Sequence, residues 1–206
     1  MNANRLTREV SFRGVGVHRG DICEVSVAPG PTGSGCWMER DGQRWPCLAD
    51  SVVELERCTV LGNGQTSVST VEHLFAALAS FGVYDCEIRV DGSEIPILDG
   101  SALPFVEGLK PFLEPAPGPE PLVLQGPLWV GNEQSQVLAL PSPVCRFQYA
   151  LHYPGTVIGY QEASYEPLSE SFEQKLAPAR TFALEREVEW LRSQGLARGG
   201  SLDNAL

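Results

Sequence analysis

Long apolar runs and paired cysteines are missing from this sequence of 206 residues. No apolar run approaches the roughly 18 residues that a membrane-spanning helix needs. The opening residues MNANRLTREVS contain no apolar segment of the kind found in signal peptides. None of the six cysteines forms a CxxC pair, so reduced, partly buried thiols are the simplest interpretation and disulfides are the alternative. We therefore expect a cytoplasmic protein that does not span a membrane.

Basic residues are also scarce, with 15 Lys and Arg against 26 Asp and Glu, which gives a net charge of −11. Such a surface repels phosphate backbones, so the sequence predicts no nucleic-acid partner. Net charge does not exclude a nucleotide bound in a small local pocket. The hydrophobic fraction of 43% is ordinary for a globular protein that buries a core.

Several catalytic motifs are absent as well. The sequence contains no HExxH pair, no GxGxxG loop and no GxSxG elbow, which argues against a dinucleotide site and a serine hydrolase. Its only histidines are His18, His73 and His152. A catalytic zinc ion needs about three protein ligands and an open position. The spacing of these histidines gives no reason to bring all three together.

What is present predicts both strands and helices. Alternating apolar and polar residues predict strands over residues 10–12, 23–27, 86–91 and 147–151. A run that is apolar on nearly every side predicts a buried helix over residues 70–80, with Ser69 and Glu72 as a capping box and Gly82 as its stop. Further helices are predicted after Ser101, near 170–176, and over 184–194 with Gly195 as the stop.

Five prolines in residues 111–121 predict a domain boundary, because proline fits neither a ladder nor a helix interior. We expect a first α+β domain over 1–112, a linker over 113–121 and a second α+β domain over 122–206. The second half has no counterpart of the 70–80 helix, and SLDNAL looks like the start of a strand. The second domain is therefore expected to be incomplete, with an exposed apolar patch on its sheet.

Glu72-His73 is the strongest local signal, because a carboxylate and an imidazole should not be buried without partners. They could form a metal ligand with a neighbouring general base, or merely a capping Glu with a partly exposed His. By local pattern, His18 is a surface residue of a hairpin turn, Cys58 a small buried apolar residue and Thr181 a helix N-cap.

Five segments taken together resemble one known family. They are GVGVHRG at 14–20, STVEHLFAALASFG at 69–82, EIPILDGSALPFV at 94–106, ARTF at 179–182 and GLARGGSLDNAL at 195–206. Their order and approximate spacing are similar to those of the UDP-3-O-acyl-N-acetylglucosamine deacetylases. The resemblance covers essentially the whole chain. It implies two similar domains, each a mostly antiparallel sheet packed on helices.

The resemblance also implies a reaction and a site. The family uses Zn²⁺ to hydrolyse the 2-acetamido group of a UDP-linked acylated glucosamine, an early step of lipid A biosynthesis. His73 would be a zinc ligand, Glu72 the general base and Thr181 a donor to the oxyanion. Substrate would contact Val17, His18, Cys58 and Phe182.

The sequence departs from the family because residues 1–206 contain no HKxxxD-like motif and no later His. These would supply the remaining zinc ligands and a general acid. We therefore expect the chain by itself to bind zinc weakly and to be inactive, with a complementing C-terminal segment as a candidate partner. The alternative is a non-catalytic binding or regulatory remnant of the enzyme.

Overall fold

The computed structural model describes residues 3–204, in which α-helices and β-strands are mixed along the chain. The strands are β1 (Asn4–Leu6), β2 (Val10–Val15), β3 (Ile22–Pro29), β4 (Cys36–Arg40), β5 (Gln43–Pro46), β6 (Val52–Glu54), β7 (Val60–Gly62), β8 (Ser67–Ser69), β9 (Cys86–Asp91), β10 (Leu113–Pro115), β11 (Leu128–Gly131), β12 (Gln136–Ala139), β13 (Phe147–Tyr153) and β14 (Gly159–Tyr165). The helices are α1 (Glu72–Phe81), α2 (Leu103–Leu109), α3 (Phe172–Lys175) and α4 (Glu185–Ser193). The expected α+β class is confirmed.

The chain divides into two compact units. The first unit contains Met1–Gly118 together with Phe172–Leu206, and the second unit contains Pro119–Ser171. The division after Gly118 falls inside the proline-rich segment at 111–121. The expected arrangement of two similar domains, over 1–112 and 122–206, stays a prediction.

A five-stranded sheet in the order β2-β3-β9-β4-β5 forms the centre of the first unit. All its pairings are antiparallel except β4 with β9. The strands predicted from alternation are confirmed, since Cys23, Val25 and Val27 on β3 are buried while Glu24 between them is exposed. Period-two alternation therefore places one face of β3 in the core.

Helices α1 and α2 contribute to the same hydrophobic core as this sheet. Leu74 and Leu78 of α1 and Phe105 of α2 are fully or nearly fully buried in it. The expectation that α1 is buried on nearly every side is too strong, because Ala79 is exposed. Gly82 ends α1 in the left-handed conformation, with φ of 64°, as predicted.

The predicted capping box at the start of α1 is wrong. The N-cap residue is Val71, and no side chain caps the helix. The hydroxyl of Ser69 donates instead to the carbonyl of Ser93, at 3.2 Å. Backbone hydrogen bonds from Ser69 N–H to Ser93 O and from Ile95 N–H to Ser69 O continue this contact. The end of β8 is thus paired with residues 93–95, which brings that segment next to the start of α1.

The C-terminal part of the first unit packs on the same core through Phe172 and Ala177. Helix α4 is followed by Gly195 with φ of 81°, as predicted for a helix stop. The expected strand at SLDNAL is wrong for its described part, because residues 202–204 form a turn; residues 205 and 206 lie outside the described range. Among the described residues, no helix is both long and apolar enough to cross a membrane.

The second unit is built on two antiparallel hairpins, β11–β12 and β13–β14. The strand predicted around residues 147–151 is confirmed as β13. Large apolar side chains are exposed on both hairpins, including Trp129, Leu138, Phe147 and Tyr149. His152 is also exposed here, with its ring against that of Tyr160.

Candidate active site

The first turn of α1 carries Glu72 and His73. Glu72 is exposed, and its carboxylate accepts a short hydrogen bond from the backbone N–H of Thr59. His73 is half-buried, and burial lowers its pKa, against the opposing effect of the carboxylates of Glu72 and Asp99. The neutral imidazole is therefore favoured at neutral pH, and this is the form that can bind a metal ion.

Thr70 fixes how the chain enters α1. It is buried and has φ of 61°, which is uncommon for a β-branched residue. Its N–H donates to Thr59 O at 3.1 Å, and its hydroxyl donates to Glu94 Oε1 at 2.9 Å. A strained residue two positions before the Glu72-His73 pair fits the general tendency of such strain to occur at functional sites.

Glu94 is a site residue that the sequence analysis missed. Its side chain is 2% exposed. Its carboxylate accepts hydrogen bonds from His18 N–H at 3.0 Å and from Arg19 N–H at 3.2 Å, as well as from Thr70. A glutamate beginning the motif EIPILDGS gives no sign of these partners, which lie 24 to 76 residues away.

The glycine-rich loop of residues 16–20 lies on Glu94. A Cβ atom at Gly16 would lie 2.4 Å from Glu94 Oε2, so only glycine fits there. Val17 is buried and His18 is half-buried, which replaces the surface position that local pattern gave to His18. Among the described residues, the buried Nδ1 of His18 has no hydrogen-bond partner. Such a nitrogen is suited to a polar group of a ligand.

A second glycine-rich segment, residues 195–200, lies against this loop. Arg198 N–H donates to His18 O and Gly199 N–H to Val17 O, both at 3.1 Å. A Cβ atom at Gly199 would come within 2.2 Å of Gly16 O. Motifs about 180 residues apart in the sequence are thus in backbone contact.

Thr181 lies on the turn of residues 99–101. Its N–H donates to Gly100 O at 2.8 Å, and Asp99 on the same turn acts on the pKa of His73. The Arg180 guanidinium ties this segment to Leu202 O at 2.9 Å. Thr181 is exposed, and it does not cap α4, because the N-cap residue there is Leu184. Phe182 next to it is 45% exposed.

Cys58 is half-buried close to the same groups. Burial raises the pKa of its thiol, hydrogen bonding to Thr70 lowers it, and the carboxylates of Glu72 and Glu94 raise it. Cys58 therefore lies near Thr70 and both glutamates. All seven residues that the sequence singled out belong to the first unit: Val17, His18, Cys58, Glu72, His73, Thr181 and Phe182.

The described residues do not by themselves fit a zinc ion. Within residues 3–204, no three His, Cys, Asp or Glu side chains converge in a way that could hold a metal. A catalytic zinc site needs about three protein ligands. His73 offers one suitable donor.

The first unit of this α+β protein carries an exposed carboxylate beside a half-buried imidazole, and Thr70 and Glu94 link the turn before them to two glycine-rich loops in backbone contact. The family model LpxC, UDP-3-O-acyl N-acetylglycosamine deacetylase, matches residues 3–206. The chain belongs to this family.

Curated relatives agree with the family match. A UDP-3-O-acyl-N-acetylglucosamine deacetylase of Nostoc sp. is 38% identical over 217 residues, covering 100% of this chain and 78% of the relative. The protein of the same name from Thermosynechococcus vestitus is 37% identical, with 98% and 72% covered. The one from Syntrophotalea carbinolica is 34% identical, with 98% and 67% covered.

Proposed function

We propose that this protein takes part in hydrolysis of the 2-acetamido group of UDP-3-O-acyl-N-acetylglucosamine, releasing acetate, as a step of lipid A biosynthesis in the cytoplasm. The observation that carries the proposal is the Glu72-His73 pair on the first turn of α1, linked through Thr70 and Glu94 to the loop of His18. The relatives, which carry this activity in their names, support the substrate.

The proposal assigns a role to each of the chain's own site residues. Glu72 is exposed, so its carboxylate can take a proton from the attacking water. The water oxygen bonds to the carbonyl carbon, the C–N bond breaks, and the proton passes to the departing amine. The exposed hydroxyl of Thr181 is the proposed donor to the developing oxyanion. Val17, His18, Cys58 and Phe182 are the proposed substrate contacts.

Zinc dependence is part of the proposal, with His73 as one donor. Since residues 3–204 contain no three-ligand group, further donors have to come from elsewhere, and a complementing C-terminal segment is the proposed source. The same observation favours a second candidate function, a non-catalytic binding or regulatory protein that keeps the substrate-facing loops. The two candidate functions differ in whether acetate is released once the missing zinc ligands are supplied.

Acetate release from the UDP-linked substrate, with bound zinc measured by mass spectrometry, tests the proposal. We expect the 206-residue chain to bind zinc weakly and not to turn over, since affinity comes from several ligands held together. Adding the C-terminal segment of a relative should restore both zinc binding and acetate release. Zinc and substrate binding without any acetate release in the complemented protein would favour the non-catalytic candidate.

In the complemented protein, Glu72→Gln should lower kcat by about 10²-fold or more, as expected for loss of a general base. The matched control is Glu107→Gln, which changes an exposed glutamate on α2 and should leave kcat unchanged. Equal melting temperatures for both variants would separate catalysis from folding. A Glu72→Gln variant with the wild-type rate would rule out Glu72 as the base.

A further inference from the structure

Glu94 is a buried carboxylate with no ion-pair partner among the described residues, where the recorded salt bridges involve other acids. Burying a carboxylate is costly unless hydrogen bonds compensate for the lost water. Three donors do so: His18 N–H, Arg19 N–H and the Thr70 hydroxyl, at 3.0, 3.2 and 2.9 Å. His18 N–H also lies 3.3 Å from the second oxygen. Hydrogen bonds to an ionised acceptor are roughly twice as strong as neutral ones.

These donors come from two elements that carry the site. His18 and Arg19 belong to the glycine-rich loop, and Thr70 belongs to the turn that starts α1. The contact continues on the side of α1, since Thr70 N–H binds Thr59 O and Thr59 N–H binds the carboxylate of Glu72. One carboxylate therefore connects the His18 loop with the backbone that holds the general base.

The glycine-rich loop is shaped to lie on this carboxylate. Gly16 leaves no room for a Cβ atom above Glu94 Oε2. Position 199 also requires glycine, because a Cβ atom there would lie 2.2 Å from Gly16 O. The loop thus contacts both Glu94 and the segment of residues 195–200, and its only charged anchor among these contacts is Glu94.

We propose that Glu94 is a positioning residue of the deacetylase site: it holds the backbone of residues 18–19 against the Thr70 turn and thereby fixes His18 relative to Glu72 and His73. The proposal rests on the proposed function for its catalytic consequence. Its structural part stands by itself and can be tested without turnover. Glu94 does not touch the reacting atoms; it acts through His18 and Thr70.

Because the chain has only three histidines, selective labelling with ¹⁵N-histidine provides the test. The spectrum contains three histidine amides and three imidazoles, and a His152→Gln variant identifies the signals of the second unit. Glu94→Gln keeps the size of the side chain but replaces the charged acceptor with an amide. We expect the His18 amide and imidazole signals to move, because the amide loses its carboxylate partner, while the His152 signals stay in place.

Two further variants keep the test decisive. Glu107→Gln, the surface control, should leave every histidine signal unmoved. Thr70→Val removes the hydroxyl that binds Glu94 and also interacts with Cys58, but leaves the carboxylate bound to the backbone of residues 18–19, so it should move the His18 amide in the same direction as Glu94→Gln but less far. If Glu94→Gln fails to fold, the shift of the His18 amide signal in Thr70→Val tests the proposal instead. His18 signals at their wild-type positions in a folded Glu94→Gln or Thr70→Val variant would overturn the proposal, as would equal shifts of all three histidines.

The catalytic consequence is read separately in the complemented protein. We expect Glu94→Gln to lower kcat by about tenfold or more at an unchanged melting temperature, since small misplacement of a site loop has effects of this size or larger. A moved His18 signal with an unchanged kcat would overturn the functional part of the proposal. Absence of turnover in the complemented protein that carries the unaltered Glu94, together with a moved His18 signal in Glu94→Gln, would instead contradict the proposed function and leave the positioning role intact.

Discussion

Three cysteine side chains, those of Cys36, Cys47 and Cys86, are in contact at the five-stranded sheet, with Cys36 hydrogen-bonded to the other two. Cys36 on β4 is the register partner of Cys86 on β9, and their sulfur atoms lie 3.2 Å apart. Hydrogen bonds from the thiols of Cys47 and Cys86 lower the pKa of Cys36 below the usual range of a thiol. The same bonds and burial raise the pKa values of Cys47 and Cys86. Two neighbouring thiols therefore favour the thiolate form of the half-buried Cys36.

This arrangement predicts selective reactivity of Cys36. A lowered pKa means that, below the usual pKa range of a thiol, Cys36 carries more thiolate than an ordinary cysteine does, and the thiolate is the nucleophile. At pH 6.5, iodoacetamide should modify Cys36 before Cys47 and Cys86, as measured by mass spectrometry of the digested protein. In the denatured chain the three should react alike, because their environments become equivalent. Equal labelling of all three in the folded protein would contradict the prediction.

Single residues also mark the limit of sequence interpretation at the site. Glu72 and His73 could be identified because they are adjacent on one predicted helix. Glu94 could not, because its partners are backbone N–H groups of a loop 76 residues away, and a backbone donor leaves no trace in residue type. The close approach at Gly16, where glycine is required because a Cβ atom would meet Glu94, likewise became visible only in the structure.

At the scale of elements, α2 lies very close to the neighbouring strand β2. A Cβ atom at Gly108 would lie 2.4 Å from the ring of Phe12, which packs edge-on against Phe105 at a centroid distance of 4.9 Å. Phe105 is fully buried, so the Phe12 ring has little freedom to move away from the helix. Gly108 thus sets how near α2 can come to the sheet.

Two effects of opposite sign compete in Gly108→Ala. Helix propensity favours alanine over glycine by about 1 kcal/mol. Inserting a methyl group against a packed ring costs about 1–3 kcal/mol. Because the contact is so short, we expect net destabilisation, seen as a lower urea midpoint by circular dichroism. Gly126→Ala, where nothing lies within 4 Å, is the control and should change stability little. A higher midpoint for Gly108→Ala would show that the ring yields easily.

The elements that could be predicted are those whose signal is local. The strands β3 and β9 follow from alternation, and α1 with its stop at Gly82 follows from an apolar run and one glycine. The prediction of a capping box was wrong because Ser69 is the last residue of β8, and its hydroxyl donates to the carbonyl of Ser93 instead of capping α1. The turn at 202–204 was missed for a similar reason, since Leu202 and Asn204 carbonyls accept from Arg180.

At the scale of the whole molecule, the described parts of the family motifs meet in the first unit although they are spread from residue 14 to residue 204. Backbone contacts between residues 17–18 and 198–199, and between Thr181 and Gly100, bring them together. Pattern in the sequence gives their order but not these pairings. The resemblance to the family implied the site; the contacts explain how the chain holds it.

The β11–β12 hairpin of the second unit exposes large apolar side chains on both of its faces. Trp129 and Leu138 are register partners on β11 and β12, and they are 62% and 58% exposed. Their neighbours Val130 and Val137 on the opposite face of the hairpin are 68% and 65% exposed. Exposed apolar surface on short strands favours association with other chains.

We therefore expect the 206-residue chain to bind the dye ANS and to scatter more light as its concentration rises. Trp129→Lys with Leu138→Glu should reduce both signals, because the two charges replace the apolar pair and attract each other across the hairpin. The control is Ile22→Lys, which changes one apolar residue that is 58% exposed in the first unit and should reduce them less. A monomeric wild-type chain that binds no ANS at any concentration would show that this surface does not drive association.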